Sequence, residues 1–184
     1  DYVFKDLTII INNFDYSCIN VSGSKKLNGS QFLKENIFYI LNSLKAAIIE
    51  NEQDKTILHI FNSKSVLDGV NVENLPVGLF GDFYNHELTF FLIKNNDLKN
   101  INQIFNKSNL EVKKIILKSF SEGTQLINTK NTETFFKINI NNNTSNISFF
   151  DHSSFRYSEH FNFGTDILFK DVEKICSINY KIID

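Results

Sequence analysis

"LNGSQFLKENIFYILNSLKAAIIENEQ", residues Leu27 to Gln53, decides how the rest of the chain is read. Phe32, Leu33, Ile37, Ile40, Leu41, Leu44 and Ile48 recur at helical spacing, with Lys34, Glu35, Asn42 and Lys45 opposite them. An apolar stripe of that width predicts an amphipathic helix lying on a core. Asn28 or Ser30 is the expected N-cap, because a short polar side chain accepts from a free amide of the first turn.

Upstream, "YSCINVSGSKKL" (Tyr16–Leu27) reads as a strand, with Cys18, Asn20 and Ser22 alternating against Ile19 and Val21. Before it, "LTIIINN" (Leu7–Asn13) is a β-branched run that stops at polar residues, the pattern of a buried strand. Downstream, "KTILHIFNSKSVLDG" reads as a strand closing at the Asp68-Gly69 turn. The segment Val72–Asn85, punctuated by Pro76, Gly78 and Gly81, reads as a loop, and "HELTFFLIKN" (His86–Asn95) as another strand. Asp97 is placed to cap a helix through "LKNINQIFNKS", and "LEVKKIILKSF" (Leu110–Phe120) is again strand-like. The segment Ser121–Glu133 is the most polar connection and marks the expected boundary between two units, 1–120 and 121–184, as a short helix or a loop. Beyond it come two strands around the asparagines of "NINNNTSN", an alternating strand in Ser153–Gly164, and a helix over Thr165–Ile178. This mixture predicts an α+β or α/β fold with at least one antiparallel sheet.

The 184 residues include 19 phenylalanines, no tryptophan and one proline, and 42% of them are hydrophobic, enough for a real core. A net charge of −2 of mixed sign shows no basic stripe for nucleic acid. Cys18 and Cys176 lie far apart in apolar runs and read as buried free thiols in a reducing compartment. No run is apolar enough to span a membrane. The chain begins at Asp1 and contains no methionine, so it reads as an interior fragment of a longer protein.

His59, His86, His152 and His160 show no metal-ligand spacing, and no metal site is expected. Asp68, Asp82, Asp151 and Asp166 fall at turns or caps, where aspartate is ordinary. Neither a catalytic residue nor a general base stands out.

One ordered set of motifs is more specific than any of its pieces. Leu58, His59 and Phe61, then Leu67-Asp68-Gly69, then Leu75, Pro76, Gly78, Leu79 and Gly81, then Leu88, Phe90, Leu92 and Ile93, together resemble the bacterial cell-division protein family FtsA. The resemblance implies an inserted strand–helix–strand–strand (SHS2, or 1C) subdomain with flanking elements of a first actin-like lobe over 1–120. It implies the start of a second, ribonuclease H-like lobe over 121–184. In the family that second lobe opens with a glycine-rich, acidic hairpin that cradles ATP phosphates. On that pattern Asn139 and Asn146 replace the two acids, Asn141, Asn142 and Asn143 replace the glycines, Thr144 keeps the threonine, and Gly164 and Thr165 open the following helix. Side chains where glycine lets amides approach phosphate, and amides where carboxylates serve a metal, imply that ATP and magnesium binding, a family trait, is weak or lost. No cofactor and no enzymatic activity are therefore expected.

By resemblance the parent is a cytoplasmic divisome scaffold, peripheral to the inner membrane. It would link FtsZ to that membrane, recruit later division proteins and self-associate into filaments, with membrane contact through a segment outside this chain. The alternatives are an actin-like pilus-assembly scaffold and an ATP-binding enzyme of the actin and sugar-kinase superfamily. Contact surfaces are expected around Pro76, Gly78, Phe80, Gly81, Phe83 and Tyr84, and on the helix face bearing Lys34, Asn42 and Lys45.

Overall fold

The computed structural model describes residues 6–12 and 14–177; the calls on Asn13 and Ile178 lie outside the described residues. The elements are β1 (Asp6–Ile11), β2 (Tyr16–Lys26), α1 (Lys34–Asn51), β3 (Lys55–Leu67), β4 (Val70–Val72), β5 (Phe83–Lys94), α2 (Asn95–Asn106), β6 (Glu111–Leu117), α3 (Lys118–Lys130), β7 (Phe135–Ile140), β8 (Ser145–Asp151), β9 (Ser154–Phe161) and α4 (Thr165–Cys176). They form three sheets: a parallel pair β1-β6, an antiparallel sheet ordered β2-β5-β3-β4, and an antiparallel sheet β7-β8-β9.

β5 is the hub. It is central in its sheet, and the period-2 alternation of a strand sends its side chains to two different cores. Leu88, Phe90 and Leu92 pack with Ile48, Leu41 and Leu44 of α1. Phe91 and Ile93 point the other way, into a cluster with Ile11, Ile101, Ile115, Leu117, Phe150 and Phe155. The helix approaches β2 so closely that a Cβ on Gly23 would stand 2.7 Å from Ile40 Cγ2. The second core holds or touches eight of the 19 phenylalanines. Phe155 of β9 stacks on Phe91 at 4.5 Å and on Phe150 at 4.7 Å, while Phe61 meets Phe91 edge-on at 5.7 Å.

Two expectations about helices need correction. α1 begins at Lys34, not after Asn28 or Ser30. Asn28 and Gly29 adopt φ of 53° and 78°, a left-handed turn, and residues 27–32 hydrogen-bond to residues 78–82 instead of joining the helix. Phe32 is fully buried against Tyr84, with ring centroids 4.1 Å apart. Leu33 takes the cap position and donates its N–H to Asn36 Oδ1 at 2.7 Å. α2 likewise starts at Asn95, with Asp97 inside its first turn and Lys94 at the cap.

The stretch 121–133, polar enough to suggest a connection, is largely helix α3. Its Gly123 rides directly on the Phe150 ring, and Glu122 pairs with Lys137 of β7. Burial alone would raise the Glu122 carboxyl, but the hydrogen bond and charge of Lys137, with Lys118 beside it, hold it below its ordinary value. Cys18 is half-buried, and burial pushes its thiol up. Cys176, expected to be buried, is exposed on α4. Both are free.

His86 is buried under α1. Tyr84 Oη lies 2.6 Å from its Nδ1 and Asn62 Oδ1 lies 3.2 Å from its Nε2, so both ring nitrogens have a hydrogen-bond partner. Burial lowers the pKa of His59, His86 and His160, with the charge of Lys114 adding to the effect at His59 and that of Asp15 opposing it at His160. Below the ordinary value of 6.5 the unfolded chain therefore binds protons that the folded chain refuses. The folded state is thus favoured above that pH and loses stability as pH falls through it. A urea midpoint that declines between pH 7.5 and 5.5 is expected; a flat midpoint over that range would contradict it.

Candidate functional site

β7 and β8 form a hairpin whose turn, residues 141–144, is closed by the Asn141 amide donating to the Thr144 carbonyl at 2.9 Å. α4 starts against this turn. The first amides of the helix, on Thr165 and Asp166, donate to the carbonyls of Asn141 and Asn142 at 3.0 and 2.9 Å. A helix N-terminus is an anion site because such amides are unpartnered; here the chain's own carbonyls occupy them. The approach leaves no room at Gly164, where a Cβ would stand 2.2 Å from the Asn142 carbonyl oxygen and 2.3 Å from that of Asn141. The glycine thus serves a backbone-to-backbone joint.

Asn139 and Asn146, at the positions expected for the family acids, face each other across the hairpin. Asn146 is buried at the centre of a polar network between two sheets. Its Nδ2 donates to Ser158 Oγ at 2.9 Å and to the Glu159 carbonyl at 3.1 Å, while Ser148 Oγ and Ser119 Oγ donate to its Oδ1 at 3.0 and 3.3 Å. Tyr16 Oη lies 2.6 Å from Ser158 Oγ, which ties β2 into the same network. An amide both gives and receives at this place; an ionised carboxylate would have no hydrogen for the Glu159 carbonyl or for Ser158 Oγ. The structure therefore brings Asn141, Asn142, Gly164 and Thr165 together, and places Asn146 in the interior. Tyr16, Ser119, Ser148 and Ser158 were not anticipated from the sequence, and no local signal marks them, since Tyr16 and Ser158 are 142 positions apart.

The expected contact loop divides in two. Pro76 and Tyr84 are buried, Tyr84 completely, so the expectation that they are contact residues is corrected. Tyr84 has odd company for a loop residue because β5 begins at Phe83, three residues earlier than the sequence suggests, and its strand register turns the ring under α1. Phe80, at 71% exposure, and Phe83 remain outside, together with Leu75, Val77 and Leu79. This rim is rigid. Phe32 N–H donates to the Leu79 carbonyl at 2.8 Å, the Gly78 amide to the Phe32 carbonyl at 2.9 Å, and Gly29 N–H to the Gly81 carbonyl at 3.0 Å. The Asp68 carboxylate accepts from the amides of Asp82 and Phe83 at 2.9 and 2.7 Å. Gly78, at φ 91°, makes the turn that a side chain would strain. On α1, Lys34 and Asn42 are exposed and Lys45 is half-buried.

The fold resembles one in a PilM-PilN type IV pilus biogenesis complex. The likeness covers 97% of this chain and 48% of the solved one, with a TM-score of 0.56 and 7% sequence identity. This chain thus spans about half the length of its structural counterpart. At that identity the shared property is the fold, and it supports an actin-like architecture. No protein-family model matches the sequence, and neither does any curated protein. Among the described residues, no three His, Cys, Asp or Glu side chains are grouped to hold a metal ion, and no helix is long and apolar enough to cross a membrane.

Proposed function

We propose that this chain is part of an actin-like scaffold of the pilus-assembly type, which works by docking protein partners and does not turn over a nucleotide. β2, α1, β3 and β5 then correspond to the inserted strand–helix–strand–strand subdomain, and the β7–β9 sheet with α4 to the opening of a second actin-like lobe. The hairpin–helix joint is the observation that carries the reading. The amides of Thr165 and Asp166, which would face a phosphate, are bonded to Asn141 and Asn142, and Gly164 sits too close to those carbonyls for a phosphate to enter between them. The rim of Leu75, Val77, Leu79, Phe80 and Phe83 supplies the docking side, because apolar side chains held outward on a hydrogen-bonded frame bind without a large ordering cost. The likeness to a PilM-PilN complex favours a partner of that assembly. The cell-division reading, with FtsZ as partner, rests on the Leu67-Asp68-Gly69 and Pro76-to-Gly81 motif run.

Calorimetric titration of the longest available form of the protein with Mg-ATP tests the first half. No saturable heat is expected up to millimolar nucleotide; a dissociation constant below about 100 μM, some 5–6 kcal/mol of binding, would overturn it. A two-hybrid assay against the same genome's PilN and FtsZ tests the second. Phe80→Asp is expected to abolish a PilN signal, and an FtsZ signal with none for PilN would restore the division reading.

A further inference from the structure

Two strands carry one residue too many at the same place. In β3, Ile57 pairs with Leu92 and His59 with Phe91, so Leu58 has no opposite number. In β6, Val112 pairs with Leu7 and Lys114 with Thr8, so Lys113 is the extra residue, in a parallel pair where such bulges are rare. Leu58 and Lys113 line one cavity of about 320 Å³, between β3, α2 and β6. A bulge re-aims side chains. That in β3 puts Leu58 and His59 on the same side of the sheet, where His59 lies against the rings of Phe61 and Phe120.

The lining has two characters. Leu58, Leu98 and Val112 form an apolar floor that packs against the second core. His59, Asn102 and Lys114 give the polar side. His59 Nε2 is buried and has no hydrogen-bond partner among the described residues, an expensive state for a ring nitrogen. Lys113 is paired with Glu111 at 2.6 Å, whereas Lys114 has no carboxylate within ion-pair distance among the described residues. The volume lies at the small end of ligand pockets.

We propose that this cavity binds a small carboxylate borne on a short aliphatic chain, of the size of hexanoate. The chain would lie on Leu58, Leu98 and Val112, and the carboxylate would meet Lys114 and the Asn102 amide. The site is independent of the scaffold reading, and neither the nucleotide titration nor the two-hybrid assay bears on it.

Titration of the protein with hexanoate, followed by amide and methyl chemical shifts, tests the proposal. Saturable shifts are expected at Leu58, Leu98 and Val112. Hexanamide and hexylamine, matched in length but without the negative charge, are expected to bind at least about tenfold more weakly, the loss of one charge-assisted contact. Lys114→Gln, at an exposed position, should give a similar loss. Asn102→Phe, at a half-exposed helix position, should fill the cavity and abolish the shifts while the far-ultraviolet circular dichroism stays unchanged. No saturation by 10 mM hexanoate, equal binding of hexanamide, or retained binding in both variants would each overturn the proposal.

Discussion

Gly123→Ala is expected to destabilise the protein by about 3 kcal/mol, at the upper end of what an added methyl costs in a packed core. The reason is geometric. A Cβ on Gly123 would lie 1.9 Å from Cζ of Phe150 and 2.4 Å from Cε2. Phe150 is fully buried, with Phe135 stacked at 4.9 Å and Phe155 at 4.7 Å, so its ring has nowhere to move. The helix must lift instead, which weakens the contact between α3 and the β7–β9 sheet and strains the Glu122–Lys137 pair. Urea denaturation followed by circular dichroism reads the loss. Adding Phe150→Leu to Gly123→Ala should recover stability relative to the sum of the two single changes, with a coupling of about 1 kcal/mol or more. Additive effects would show that the two residues do not touch.

Phe155→Ala is expected to cost more, about 3–5 kcal/mol. Phe155 is buried where β9 lies across the larger antiparallel sheet, and it touches rings from four other segments: Phe61, Phe91, Phe120 and Phe150. Among the described residues no other ring pairs with rings of β3, β5, α3 and β8 at once. Its removal leaves a cavity lined by rings already packed on one another, and rings held on three sides do not collapse inward. Differential scanning calorimetry should show either a large drop in the transition temperature or two separate transitions, one for each antiparallel sheet. A shift of less than about 1 kcal/mol would mean that the sheets are held together elsewhere.

The sequence showed the elements better than their joints. Ile19 and Val21 on β2, and Leu88, Phe90 and Leu92 on β5, announced their faces by alternation because each strand is flat and regular there. Residues 27–33 misled because Phe32 and Leu33 fit the helical period, although Phe32 fills the core from an extended segment. Periodicity cannot separate the two cases when the deciding bonds run to residues 78–82, more than forty positions away. The candidate site was half legible. An asparagine-rich turn between two strands, followed by Gly164-Thr165, indicated a hairpin beside a helix start. That the turn's own carbonyls cap the helix, and that Asn146 anchors a buried network reaching Tyr16, are tertiary facts with no local trace. The bulges at Leu58 and Lys113 were illegible for the same reason: a bulge is a count of one strand against its neighbour, and either strand alone looks ordinary.

The parallel pairing of β1 with β6 carries a consequence for biosynthesis. Asp6 waits for Glu111, more than a hundred residues later in the chain. At translation speeds of about 5–20 residues per second, the isoleucine run Ile9-Ile10-Ile11 stays without its neighbour for at least several seconds. Meanwhile β2, α1, β3 and β5, whose contacts are mutual, can already collapse beside the ribosome. In the nascent chain β1 is thus made first and can join β6 only after that nucleus has had time to form.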